Sequence, residues 1–206
     1  MYHQKSAFIL LLLTILLIII LTIFGPEEKS LGSNVRVVYL HGAWVLTALL
    51  TFIAAGATGL TALATRHANL HHWSQALGRT GLVFWLTYLP LSLWAMQTNW
   101  NGLFLTEPRW RLAAIFAVTG LLLQIGLSLL DNLAWTSAGN LGFLAALAVG
   151  LFRVDSVMHP PPSPLFNSGL WQIQLFFVAL NLLSLLAAWQ VAVWWHSRGR
   201  PQKAIT

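Results

Sequence analysis

The chain has 206 residues, of which 57% are hydrophobic and only 8% charged, with a formal net charge of +6. A water-soluble domain carries roughly 25% charged residues, so this composition cannot coat an aqueous surface, and a lipid bilayer is the implied solvent. The basic excess is scattered over several short polar stretches, which argues against nucleic-acid binding, and the absence of cysteine excludes disulfides, thiolate metal sites and covalent haem attachment to a Cys pair. Long apolar runs punctuated by Gly and Pro read as helices, since barrel strands would show alternating segments of about ten residues. The expected class is an all-α polytopic integral membrane protein of about six transmembrane helices, forming a single transmembrane domain over residues 1–206.

The first apolar run is Ala7–Phe24, preceded by Lys5 and ended by Gly25-Pro26. A signal peptide is the rival reading, but its apolar region is usually about 7–15 residues long and ends in small residues, so a retained helix over 7–24 is favoured. The second run, about 35–64, would be roughly 45 Å long, so its start from Arg36 to His41 should project into the interface of a hydrocarbon layer of about 30 Å. Its glycines at 42, 56 and 59 permit close helix packing. The polar stretch from Arg66 to Arg79, with His67, His71 and His72, reads as a loop before a third helix at 80–97, with a kink expected at Pro90. His67 and His71 would share a helix face and, with His72, are weighed as a metal site; a polar, partly charged loop is favoured.

After a loop from Thr98 to Arg109, the run from Trp110 to Phe152 is about twice what one crossing needs, so it reads as helices at 110–130 and 137–153. Asp131-Asn132 between them reads as a solvated turn in preference to an intramembrane proton carrier. The loop from Arg153 to Gly169 carries His159 followed by Pro160-Pro161-Pro162-Ser163-Pro164, and a sixth helix at 170–195 leads into a basic tail. Six crossings put both termini on one side with Lys5, Arg66, Arg79, Arg198, Arg200 and Lys203, against Lys29, Arg36, Arg109, Arg111 and Arg153 on the other. The positive-inside rule then favours cytoplasmic termini in a plasma or inner membrane.

Between His41 and His159 the chain crosses the membrane four times, which places both on the face opposite the termini, together with Glu107 and Arg109. Two neutral imidazoles suit the axial positions of a haem iron, and Arg36, Arg109, Arg111 and Arg153 lie on the side where propionates would need cations. Tryptophans 44, 94, 100, 110 and 171 would flank a macrocycle there. The plainer reading of each feature is an aromatic belt, polar helix ends and headgroup contacts, and residue type alone favours it. No nucleophile–base pair, nucleotide loop or paired carboxylates stand out, so an enzyme is not expected.

At Arg36-Val37-Val38-Tyr39-Leu40-His41 the chain resembles the haem-handling membrane proteins of cytochrome c biogenesis, the CcmC/CcsA family, which has Arg, two apolar residues, Tyr, an apolar residue and His at this place. Met158-His159-Pro160-Pro161-Pro162-Ser163-Pro164 is similar to that family's Pro- and Ser-rich outer segment before its final helix. Its tryptophan-rich loop, ending in Trp-Asp-x-Arg, corresponds here to the stretch from Trp100 to Trp110, where Glu107 and Arg109 hold the acidic and basic places and most other tryptophans are missing. The resemblance implies a membrane protein that holds non-covalent haem b at the outer face, with His41 and His159 as axial ligands to the iron. Arg36, Arg109, Arg153, Trp44, Trp100 and Trp110 would lie around the ring. The implied partners, besides the bilayer and haem, are a haem chaperone, an apocytochrome or another membrane subunit. The alternative is an accessory subunit of a larger complex that keeps the fold and has lost the haem. A b-type electron-transfer subunit ranks last, because no second histidine sits deep in a helix.

Overall fold

The computed structural model describes residues 2–154 and 169–198, with side chains from residue 7 onward; His159 and its proline run lie outside the described residues. Six helices follow one another: α1 Tyr2–Ile23, α2 Val35–Thr65, α3 Ala68–Trp100, α4 Pro108–Leu130, α5 Leu133–Arg153 and α6 Trp171–Arg198. Among the described residues no strand occurs beyond an isolated bridge between Glu28 and Gly32. The protein is therefore an all-α membrane protein: α2, α4, α5 and α6 are long and apolar enough to cross a bilayer, and Ala7–Ile23 forms a shorter apolar helix.

Several boundaries differ from the sequence reading, α1 starting at Tyr2 and α3 ending at Trp100, and two of the differences have a clear physical cause. The stretch from Arg66 to Arg79 is not a loop: Arg66 takes a left-handed backbone (φ 56°), its N–H donates to Ala62 O at the end of α2, and α3 starts two residues later. Helix persists there because its polar side chains are satisfied by neighbouring helices. Ser74 Oγ donates to Ala55 O at 2.9 Å, and His71 Nδ1 pairs with Ser137 Oγ at 2.7 Å. Likewise α5 starts at Leu133 because Asn132 caps it, its Oδ1 accepting from Ala134 N and Trp135 N. The reading of Asp131-Asn132 as a turn agrees with this geometry, with Asp131 exposed at φ 44°. The helix also continues through Pro90.

α2 and α3 form the central pair, each touching both α5 and α6, while α4 packs on α3 and α5, and α1 rests mainly on α6. Glycines make these approaches possible. A Cβ at Gly59 would lie 2.9 Å from Ser137 O and from Ser74 Oγ, and one at Gly81 would lie 2.7 Å from the Phe52 ring. Buried Phe52, Phe84, Trp85, Phe143, Leu147 and Leu180 fill the centre, whereas Leu12, Leu16, Ile115, Val118, Leu122, Leu175 and Leu182 face outward. Such an outer coat of leucine and isoleucine is stable only against lipid.

Candidate functional site

The candidate site lies at the end of the bundle where α2, α4 and α6 begin and α3 and α5 finish. The segment before α2 is tightly organised. Arg36 Nε donates to Gly25 O at 2.8 Å and its Nη2 pairs with Glu27 Oε1 at 3.1 Å. The Glu28 carboxylate closes a turn, accepting from Ser30 N at 2.9 Å, from Leu31 N at 3.1 Å and from the Ser30 hydroxyl. These donors, the Ser30 hydroxyl foremost, hold the Glu28 carboxyl below the usual carboxylate range. Asn34 Nδ2 donates to Thr98 O at 2.9 Å, which ties the start of α2 to the end of α3.

His41 lies in the second turn of α2, half-buried, with its ring 5.5 Å from that of Tyr88 on α3. Trp44, nearly one turn further on, donates from Nε1 to Thr87 Oγ1 at 2.8 Å and packs at 4.7 Å from Phe84. Tyr88 in turn meets Trp85 at 5.0 Å, and Trp85 Nε1 donates to Ala113 O of α4 at 3.0 Å. An aromatic line thus connects His41 to α4. Tyr39, only 2% exposed, packs on Phe176 of α6, and its buried hydroxyl has no partner among the described residues.

At the start of α4, Glu107 is 7% exposed and acts as the N-cap, with Oε2 accepting from Trp110 N at 2.6 Å; Pro108 follows at the first helical position. A carboxylate suits this place because the unpaired amides and the dipole of a helix N-terminus attract negative charge. Its other oxygen, Oε1, is buried without a partner among the described residues, as are Arg109 Nε and Trp110 Nε1. Glu107 also lies within electrostatic reach of Tyr88.

Helix direction therefore brings Arg36, His41, Trp44, Trp100, Arg109, Trp110 and Arg153 to one end of the bundle. They do not form one cluster. His41 and Trp44 lean on α3, and Arg36 turns toward the 24–34 segment. Trp100 closes α3 at 38% exposure, and Arg153 is exposed in the last turn of α5. Sequence reasoning missed Tyr88, Thr87 and Phe84, which are the direct neighbours of His41 and Trp44; nothing in an apolar run distinguishes them before the register of α2 on α3 is known.

Nearer the opposite end, the bundle interior holds a polar network. Asn140 Nδ2 donates to Ser74 O at 2.8 Å and to Ser74 Oγ at 3.1 Å, while Gln124 Nε2 donates to Asn140 Oδ1 at 2.8 Å. Beside Gln124 and Asn140 is a cavity of about 10 Å³, roughly the space of one water. Of the histidines weighed as a metal site, His67 is exposed ahead of α3 and His71 pairs with Ser137. Among the described residues no three His, Cys, Asp or Glu side chains come together in a way that would hold a metal ion.

No family model matches the chain, and no curated protein and no solved structure shows significant similarity to it.

Proposed function

We propose that this membrane protein binds haem b non-covalently at the His41 end, with His41 and His159 as the axial ligands, and presents or passes it to a partner such as a haem chaperone or an apocytochrome. The reading rests on the likeness of the Arg36–His41 and Met158–Pro164 segments to the cytochrome c biogenesis proteins. The observation that carries it is the half-buried His41 imidazole in the second turn of α2, at the same end of the bundle as the start of α4. The residue types at this end suit the group, although they are not gathered into one cluster: an imidazole for the iron, Trp44 and Trp110 as apolar faces, and Arg109, whose Nε is buried without a partner among the described residues, as a cation for a propionate. Bound haem would supply a redox-active iron that His41 and His159 would hold; the chain's part would be to orient His41 through Tyr88 and to screen the ring from water. In this reading the His41 end faces the outside of a plasma or inner membrane and the termini lie in the cytoplasm.

A second reading has support in specific contacts. Arg36 is engaged by Glu27 and Gly25, and Glu107 by capping α4, so the matched residues also have structural tasks that an accessory subunit without haem would need. Absorption spectra of the purified protein separate the two. Haem binding gives a Soret band that shifts or disappears in His41→Ala and in His159→Ala. A band indifferent to both changes removes axial ligation by this pair. Absence of any band after addition of haemin, with stoichiometric co-purifying subunits, selects the accessory role.

A further inference from the structure

The last turns of α6 and the first half of α3 build a second charged feature, at the end of the bundle opposite His41. Asn69 pairs with His196 at 3.1 Å, and the Trp73 ring stacks on that of His196 at 4.0 Å and of Trp189 at 5.2 Å. These contacts set the two helices antiparallel and level. Arg79 lies about 15 Å beyond Asn69 along α3, further from this end of the bundle. Its guanidinium nevertheless reaches the Trp195 ring, 5.2 Å from the centroid. Side chains on a helix lean toward its N-terminus, so Arg79 stretches back along α6 toward this end of the bundle. Arg198 stands over Trp194 at 4.0 Å, and the two indoles meet edge to face at 4.6 Å. Two guanidiniums are thus held by one tryptophan pair.

Among the described residues the only ion pair is Arg36 with Glu27, so neither arginine of this clamp has a carboxylate partner among them. Cations fixed on aromatic rings, with no carboxylate among the described residues beside them, attract an anion. On the same turns of α6, Trp189 and Val193 are exposed at 55% and 38%, offering an apolar face beside the charges. A phosphate with acyl chains matches both features.

We propose that Arg79 and Arg198, stacked on Trp195 and Trp194, form a binding site for the phosphate of an anionic phospholipid. Native mass spectrometry of the full chain, released from nanodiscs of phosphatidylcholine containing phosphatidylglycerol, tests this. The wild-type protein is expected to retain phosphatidylglycerol above its share of the bilayer. Arg79→Gln and Arg198→Gln should each lower that retention about fivefold, the worth of one interfacial cation. Arg111→Gln, at the other end, should leave it unchanged. Retention that survives 10-fold molar excesses of inorganic phosphate marks the lipid as the source; displacement by phosphate marks the same site as one for the free anion. Equal retention of the two lipids, or unchanged phosphatidylglycerol retention in both arginine variants, overturns the proposal. If Arg79→Gln does not purify as a monodisperse protein, the exposed Arg198→Gln decides the matter alone.

Discussion

Replacing Asn140 by leucine is the most direct probe of how the bundle interior is held. The side chain makes three hydrogen bonds, two to Ser74 and one from Gln124, across three helices. Interhelical hydrogen bonds in membranes average about 0.6 kcal/mol each, so losing three costs roughly 2 kcal/mol. The Gln124 amide is then stranded in an apolar site, adding about 1 kcal/mol. Leucine is tightly held on the α3 side, where a Cβ at Gly78 would already lie 2.6 Å from Asn140 Oδ1, and the neighbouring cavity of about 10 Å³ is too small to offset the lost hydrogen bonds. The expected loss is about 2–3 kcal/mol, read from reversible unfolding in mixed micelles with rising sodium dodecyl sulfate, followed by far-ultraviolet circular dichroism. The double change Asn140→Leu with Gln124→Leu removes the stranded amide and should recover about 1 kcal/mol of that loss. A single variant as stable as the wild type, or a double variant whose cost is the plain sum of the two singles, would refute the idea that these groups act as one network.

Glu107→Ala should destabilise the protein by about 1 kcal/mol in the same assay and speed hydrogen exchange at the Trp110 amide, because the cap on α4 is removed; unchanged exchange there would count against the capping role. Glu28 gives a pH signature: its folded-state carboxyl is held low mainly by the Ser30 hydroxyl, so the turn's extra stability is present above the unfolded pKa and is lost as pH falls through the depressed folded value. A carboxyl-carbon NMR titration should find Glu28 below an ordinary glutamate, and Ser30→Ala should return it upward; an unmoved midpoint in that variant removes the hydroxyl as the cause.

Composition and run length alone were enough to read the class of this protein, because transfer into lipid is nearly additive along a segment and needs no knowledge of neighbours. The same additivity placed the ends of α2 and α4 and the turn at Asp131-Asn132, and helix parity put His41, Glu107 and Arg109 at one end of the bundle. Polarity misled the reading between Arg66 and Arg79, where three His with an Asn, a Ser and a Gln look like loop. Its partners are remote in the chain: His71 meets Ser137, and Ser74 meets Asn140, each 66 residues away. The packing of α2 on α3 likewise decided that Tyr88 is the neighbour of His41 and Thr87 the acceptor for Trp44. The arginine–tryptophan clamp joins Arg79 to Trp195 across the α3–α6 contact. Whether a polar group in lipid is affordable depends on what stands within about 3 Å of it, and that is a property of the assembled bundle.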